Sequence, residues 1–161
     1  MKELFVNMGQ IRSLKSSGVL TTVGLGSCIG VTLYDSVAKV GVMGHIFLPK
    51  SRPDDESVRT SPGKYADTGI PALIDSALEL GAQKKRLVAK MAGGANLFPN
   101  LNLNSVSIGE QNIAAVLRHL EDHNIPVTGK DVAGNHGRKM RFFVETGKVC
   151  VTAIGKDPIE I

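Results

Sequence analysis

Apolar residues recur along this chain with two different periods. Leu4–Met8, Gly18–Val23, Val31–Tyr34, Val40–Phe47, Arg86–Met91, Pro126–Ala133, Met140–Glu145 and Lys148–Ile154 are short runs rich in β-branched residues. Gly, Pro, Asn, Asp or Ser bound most of them, so they read as strands. Two segments repeat every three to four residues and read as helices. In Tyr65–Leu80 the stripe is Ala66, Ile70, Leu73, Ile74, Ala77 and Leu78, and Gly81 ends it. Pro71 requires either a start near Asp67-Thr68 or a kink. The second helix opens on a capping box, Ser107 and Glu110, and buries Ile113, Val116, Leu117 and Leu120. Arg12–Ser17 carries turn and loop residues, and Lys50–Pro62, with two prolines and Asp54-Asp55-Glu56, reads as an exposed loop. Thr146-Gly147 is a hairpin turn.

About eight or nine strands, with two helices far apart between strand groups, predict an α+β fold. The expected architecture is a mixed β-sheet sandwich with helices packed on it. The 161 residues suit one domain over 1–161, with no repeat or linker to divide it. The chain has no Trp and only 4% aromatic residues, so its core must come from Val, Ile, Leu and Ala.

Charge narrows the function classes. The formal net charge is +4. Lys84-Lys85-Arg86 reads as a solvated corner, and Arg138, Lys139 and Arg141 as a second light cluster. This balance suits an acidic partner surface but lacks the aromatic stacking groups of a single-strand nucleic-acid binder. Two cysteines, Cys28 and Cys150, make no disulfide framework. The N-terminus does not resemble a signal peptide, and no apolar run reaches the ~20 residues of a membrane span. The expectation is a cytoplasmic protein without membrane insertion, its thiols reduced.

The chemistry concentrates in Thr21–Pro49. A glycine-rich turn, Gly24 to Gly26, leads into Ser27-Cys28, and two strand-like runs follow, the second carrying His45. A hairpin centred between Ser36 and Val37 sets Tyr34 opposite Lys39, Thr32 opposite Gly41, and Cys28 opposite His45. Opposed residues share a face with Cβ atoms roughly 5 Å apart, close enough for a thiol and an imidazole to exchange a proton. A partly exposed cysteine beside a histidine has a lowered pKa, and its thiolate is a nucleophile. The turn frees backbone N–H groups for an oxyanion, with Gly26, Ser27 and Cys28 as candidates. A small buried Cys28 and a satisfied strand histidine are the structural alternative. Thr21 and Thr22 serve equally as ordinary strand residues. Gly93, Gly94 and Asn96, in a turn at a strand end, are candidates for substrate contact. His136 lies in a polar loop. His119 and His123, four apart on the second helix, lack acidic or cysteine partners at metal-site spacing, and no metal or cofactor is expected.

Four motifs in this order resemble those of the CheD family of chemoreceptor glutamine deamidases. They are Thr22-x-Gly-Leu-Gly-Ser-Cys28, Gly44-His45-x-x-Leu48-Pro49, Gly63-Lys64-Tyr65-Ala66-Asp67 and Ala92-Gly93-Gly94-Ala95. Ile108-Gly109-x-x-Asn112 and Gly134-Asn135 extend the likeness. The resemblance implies a cysteine hydrolase with Cys28 as nucleophile, His45 as base and Thr22 as third member. It implies glutamines in the helical cytoplasmic region of methyl-accepting chemoreceptors as substrate, converted to glutamate through a thioester, with glutamyl methyl esters also chemically allowed. It further implies the phosphatase CheC as a partner.

Two other classes stand beside it. A nucleotide-binding enzyme is suggested by Gly24-x-Gly26-x-x-x-Gly30, but the last spacing is wrong and a strand-like run follows where a helix is needed. A non-catalytic chemotaxis regulator would act by binding CheC and receptors alone. The joint presence of Thr22, Cys28 and His45 argues against binding alone.

Overall fold

The computed structural model describes residues 1–99 and 106–161. Its strands are β1 (Glu3–Phe5), β2 (Ile11–Lys15), β3 (Val19–Leu25), β4 (Ile29–Asp35), β5 (Val40–Ile46), β6 (Val88–Gly93), β7 (Val127–Val132), β8 (Arg138–Phe143), β9 (Lys148–Thr152) and β10 (Ile159–Glu160). The helices are a single turn, α1 (Ser57–Thr60), and two long ones, α2 (Ala66–Glu79) and α3 (Ile108–Asp122). Helix α2 begins at Ala66 and carries Pro71 within it. Helix α3 opens as expected, with Ser107 Oγ accepting from the Glu110 N–H.

The strands form two five-stranded sheets, ordered β1-β3-β8-β9-β10 and β2-β5-β4-β6-β7. Both are mixed, since β1 runs parallel to β3 and β6 parallel to β7 while the other pairs are antiparallel. The fold is the expected α+β sandwich, with a layer of helices on one side. Every residue of β4 and β5 is buried because both faces of the second sheet are covered. Ile29, Val31 and Leu33 of β4 and Val40, Val42 and Ile46 of β5 pack against Ile70, Leu73, Val116 and Leu120 of the helices. The alternate residues face the first sheet. There Tyr34 meets Phe142 edge-on, with centroids 5.6 Å apart, and Met43 joins Leu20, Leu25 and Met140.

The β4–β5 hairpin is offset by two residues from the register predicted above. Tyr34 opposes Gly41 and Gly30 opposes His45, so Cys28 is not directly across from His45. The cause is Asp35. Its carboxylate accepts the N–H groups of Val37 and Ala38, and Lys39 takes a left-handed φ of 56°, so four residues rather than two turn the chain. A shift of two preserves the face of every side chain. Arg12–Ser17, read as a connector, is largely β2, an edge strand paired to β5 from Ile11–Gly44 to Lys15–Val40. Its Arg, Ser and Lys suit an edge and hide the alternation. The basic corner at Arg86 is also more than solvated, since Arg86 Nε lies 2.8 Å from the fully buried Asp35 carboxylate.

Asp35 also accepts the Gln83 N–H. The Arg86 guanidinium and these backbone donors outweigh the effect of burial and hold its carboxyl well below the usual carboxylate range. A depressed pKa stabilises the fold above the unfolded value, near 4, and that stabilisation is lost as pH falls below it. Asp35→Ala is expected to cost about 2–4 kcal/mol in urea denaturation at pH 7. The gap to wild type should narrow on acidification below about pH 4. A gap that is constant down to pH 2 would contradict the assignment.

Candidate active site

Thr22 and His45 come from different sheets. Thr22 has the same parity along β3 as the buried Leu20, so it points between the sheets, as His45 does on β5. Thr21 points the other way and donates to Glu3 Oε2 at 2.7 Å. Parity therefore separates the two threonines that residue type alone left equivalent. Thr22 Oγ1 lies 2.7 Å from His45 Nδ1 and 2.7 Å from the Val6 carbonyl oxygen.

These two contacts fix the protonation pattern. A carbonyl oxygen only accepts, so the single hydroxyl proton of Thr22 goes to Val6. The Thr22 oxygen must then accept the proton of His45 Nδ1–H. In the neutral ring, which burial favours, the other nitrogen, Nε2, is then unprotonated, and it is buried with no hydrogen-bond partner among the described residues. An unpartnered basic nitrogen in a buried site is the arrangement a general base requires.

Gly30 makes the contact between sheets possible. It sits opposite His45. A Cβ there would lie 2.7 Å from Met140 Sδ and 3.3 Å from Thr22 Cγ2. Cys28 lies two residues before Gly30 with the same parity, just past the last ladder pair, Ile29–Ile46. Carrying the ladder one pair further would make His45 its diagonal neighbour, a relation that separates Cβ atoms by roughly 7 Å, and no hydrogen bond joins Cys28 to the His45 ring. The Cys28 side chain is buried with Ala92 and Met140.

The backbone around the pair is heavily tied. The His45 carbonyl accepts from Gly9 N–H at 2.8 Å, and His45 N–H donates to Gln10 at 3.2 Å. Phe47 and Leu48 N–H both donate to the Lys64 carbonyl, which gives the Gly63-Lys64-Tyr65 motif its place behind the end of β5. Gly94 N–H donates to the Cys28 carbonyl and Ala95 N–H to that of Gly26, both at 2.9 Å. Gly93, at φ 116°, packs so closely under Cys28 that a Cβ would meet the Cys28 carbonyl oxygen. Gly93 and Gly94 thus support the Cys28 loop from behind.

Of the oxyanion candidates, the Gly26 N–H is bonded to the Gly24 carbonyl at 3.0 Å. The Ser27 and Cys28 N–H groups have no hydrogen-bond partner among the described residues. Ser27 and Asn96 line a groove of about 460 Å³ together with exposed Leu97, Phe98 and Val106. His136 lies elsewhere, in a groove with Val23, Arg138 and Ile154. Two contributors were given no role in the sequence, the Val6 carbonyl and Asn112, the latter quoted only within a motif. Asn112 carried a signal, since it is a polar residue falling between Gly109 and Val116 on the buried face of α3.

Burial sets the electrostatics. It pushes the Cys28 thiol up and the His45 imidazole down, the Val6 carbonyl opposing the latter. Both shifts favour a neutral thiol beside a neutral imidazole, and the cysteine expected to be partly exposed is buried. Iodoacetamide should therefore alkylate Cys28 slowly at neutral pH, with a rate that climbs into the alkaline range. A rate independent of pH between about 5 and 8 would indicate a preformed thiolate–imidazolium pair instead.

Comparison with known proteins gives a consistent result. Residues 47–153 match the family model described as CheD chemotactic sensory transduction. The chain is 43% identical to the probable chemoreceptor glutamine deamidase CheD of Caldanaerobacter subterraneus subsp. tengcongensis, over 96% of this chain and 94% of that one. It is 41% identical to the chemoreceptor glutamine deamidase CheD of Thermotoga maritima, over 93% of this chain and 91% of the relative. A probable CheD of Pyrococcus horikoshii is also 41% identical, over 92% and 91%.

Proposed function

The chain belongs to the CheD family, and from that premise we propose that it is a chemoreceptor glutamine deamidase working through Cys28, His45 and Thr22. The observation that carries the reading is the Val6–Thr22–His45 chain of hydrogen bonds, which leaves a buried, unpartnered Nε2 on the strand next to the one that Cys28 leads into. The names of the three relatives above, two of them given as probable, are those of chemoreceptor glutamine deamidases and support the activity.

The mechanism follows from a neutral pair. Cys28 Sγ attacks the side-chain carboxamide carbon of a glutamine while its proton passes to His45 Nε2. The carbonyl oxygen becomes an oxyanion, met by the Cys28 and Ser27 N–H groups. His45 returns the proton to the amide nitrogen, ammonia leaves, and a thioester remains. His45 then takes a proton from water, hydroxide adds to the thioester carbon, and collapse frees glutamate and the Cys28 thiol. A glutamyl methyl ester would form the same thioester with methanol leaving. Thr22 holds the imidazole in one tautomer throughout. The groove beside Ser27, with Asn96 at its wall and Leu97, Phe98 and Val106 exposed, suits the apolar flank of a receptor helix bearing the glutamine.

CheC is the partner that family membership suggests, and the cytoplasm the compartment where receptor cytoplasmic helices lie. No helix among the described residues is long and apolar enough to cross a membrane.

Mass spectrometry of a chemoreceptor cytoplasmic fragment incubated with the protein tests the reading. Glutamine-to-glutamate conversion is expected with wild type. Cys28→Ala and His45→Ala should lower it by at least about 10³-fold with the fold intact. Thr22→Val should lower it by about 10²-fold and Thr22→Ser should restore most of it. Activity should fall on acidification through a limb below pH ~6.5, because the His45 pKa lies below its ordinary value. Full conversion by Cys28→Ala would refute the mechanism.

A further inference from the structure

Asn112 plays no part in the proton transfers above, yet its side chain touches both halves of the site. It is fully buried on α3. Its Nδ2 donates to the Ser27 carbonyl at 2.9 Å and to the Phe47 carbonyl at 3.0 Å. Two acceptors facing it fix the amide with nitrogen towards them, and Oδ1 has no partner among the described residues. Ser27 precedes the nucleophile, and Phe47 follows His45 by two residues. One carboxamide thus ties the Cys28 loop to the end of the histidine strand.

The geometry of the peptide unit gives this tie a chemical consequence. The Ser27–Cys28 peptide is planar and trans, so its C=O and its N–H point in opposite directions. Anchoring the Ser27 oxygen on α3 turns the Cys28 N–H away from the helix. That N–H is one of two donors beside the thiol without a partner among the described residues. A packing role alone would be served by an apolar residue of similar volume, without burying an amide whose oxygen stays unbonded.

We infer that Asn112 is a positioning residue that sets the Ser27–Cys28 peptide plane so that the Cys28 N–H meets the developing oxyanion. The inference rests on the thiol amidohydrolase reading above. Asn112 touches no reacting atom and acts only through that peptide.

The test uses the full chain with Asn112→Asp and Asn112→Leu. Three quantities are compared with wild type: kcat and KM for receptor-glutamine deamidation, and the rate of Cys28 alkylation by iodoacetamide. Alkylation builds no oxyanion, so it reads the thiol and His45 but not the donor. Loss of one oxyanion donor lowers kcat by about 10²- to 10³-fold, and KM and alkylation should stay close to wild type. In Asn112→Asp the protonated acid donates to one carbonyl and the carboxylate to neither. Its kcat should therefore fall as pH rises through the carboxyl titration, a limb absent from wild type. An unchanged kcat, or equal losses of kcat and alkylation, would overturn the inference. Should both variants fail to fold, the unmodified chain decides it through a crystal structure of its thiohemiacetal with a glutamine-aldehyde peptide. The former aldehyde oxygen on the Cys28 N–H supports the inference, and that oxygen bonded elsewhere overturns it. Absence of deamidation by wild type would refute the reading of function, while the adduct structure would still decide the donor.

Discussion

A single hydroxyl proton organises this molecule. Thr22 can give it to only one acceptor, and the Val6 carbonyl takes it at 2.7 Å. The same oxygen must then accept from His45 Nδ1–H, which leaves Nε2 bare. The surrounding fold serves that geometry. Strand β1 lies along β3, and Val6 N–H continues the pairing to the Thr21 carbonyl at 2.8 Å, which brings the Val6 carbonyl to Thr22. Strand β2 and its lead-in grip the His45 backbone from the other side. Gly30 leaves the space through which Thr22 reaches across the sandwich. The contact is therefore also a tie between the two sheets, and displacement of either sheet would break it.

A neutral third member has an electrostatic consequence. A carboxylate beside Nδ1 would stabilise the imidazolium and favour a resting thiolate. A threonine hydroxyl orients the ring without adding charge. Burial already disfavours both ions here, so the site favours a thiol that keeps its proton in the absence of substrate. In the mechanism proposed here, proton transfer then accompanies attack, and the nucleophile forms only against its target. Such a resting state also makes the thiol less prone to oxidation than an exposed thiolate.

Much of this was legible in the sequence, and the failures have identifiable causes. The runs that became β3, β4 and β5 were plain as strands because they are largely apolar and bounded by turn residues, although β4 extends beyond Val31–Tyr34 to Ile29–Asp35. The hairpin register was not, because the turn is built by the Asp35 side chain accepting two N–H groups, which spacing does not reveal. The face assignments survived because the error was an even number of residues. Strand β2 was hidden by its Arg, Ser and Lys, since only Leu14 of its five residues is buried. Thr22 was separable from Thr21 by its parity with Leu20, once Leu20 is known to face inwards. The Val6 carbonyl left no trace, because a backbone acceptor has no residue type. Burial of Cys28 depends on the first sheet closing over it, and so the direction of its pKa could not be read from neighbours in the chain.

The chemistry of this site depends on the tautomer of His45, and nitrogen NMR of the 15N-histidine-labelled protein reads it directly. At pH 7.5 the account predicts a protonated, pyrrole-like Nδ1 and an unprotonated, pyridine-like Nε2, with the assignment lost in Thr22→Val. A pyridine-like Nδ1 with a protonated Nε2, or an imidazolium at that pH, would contradict it.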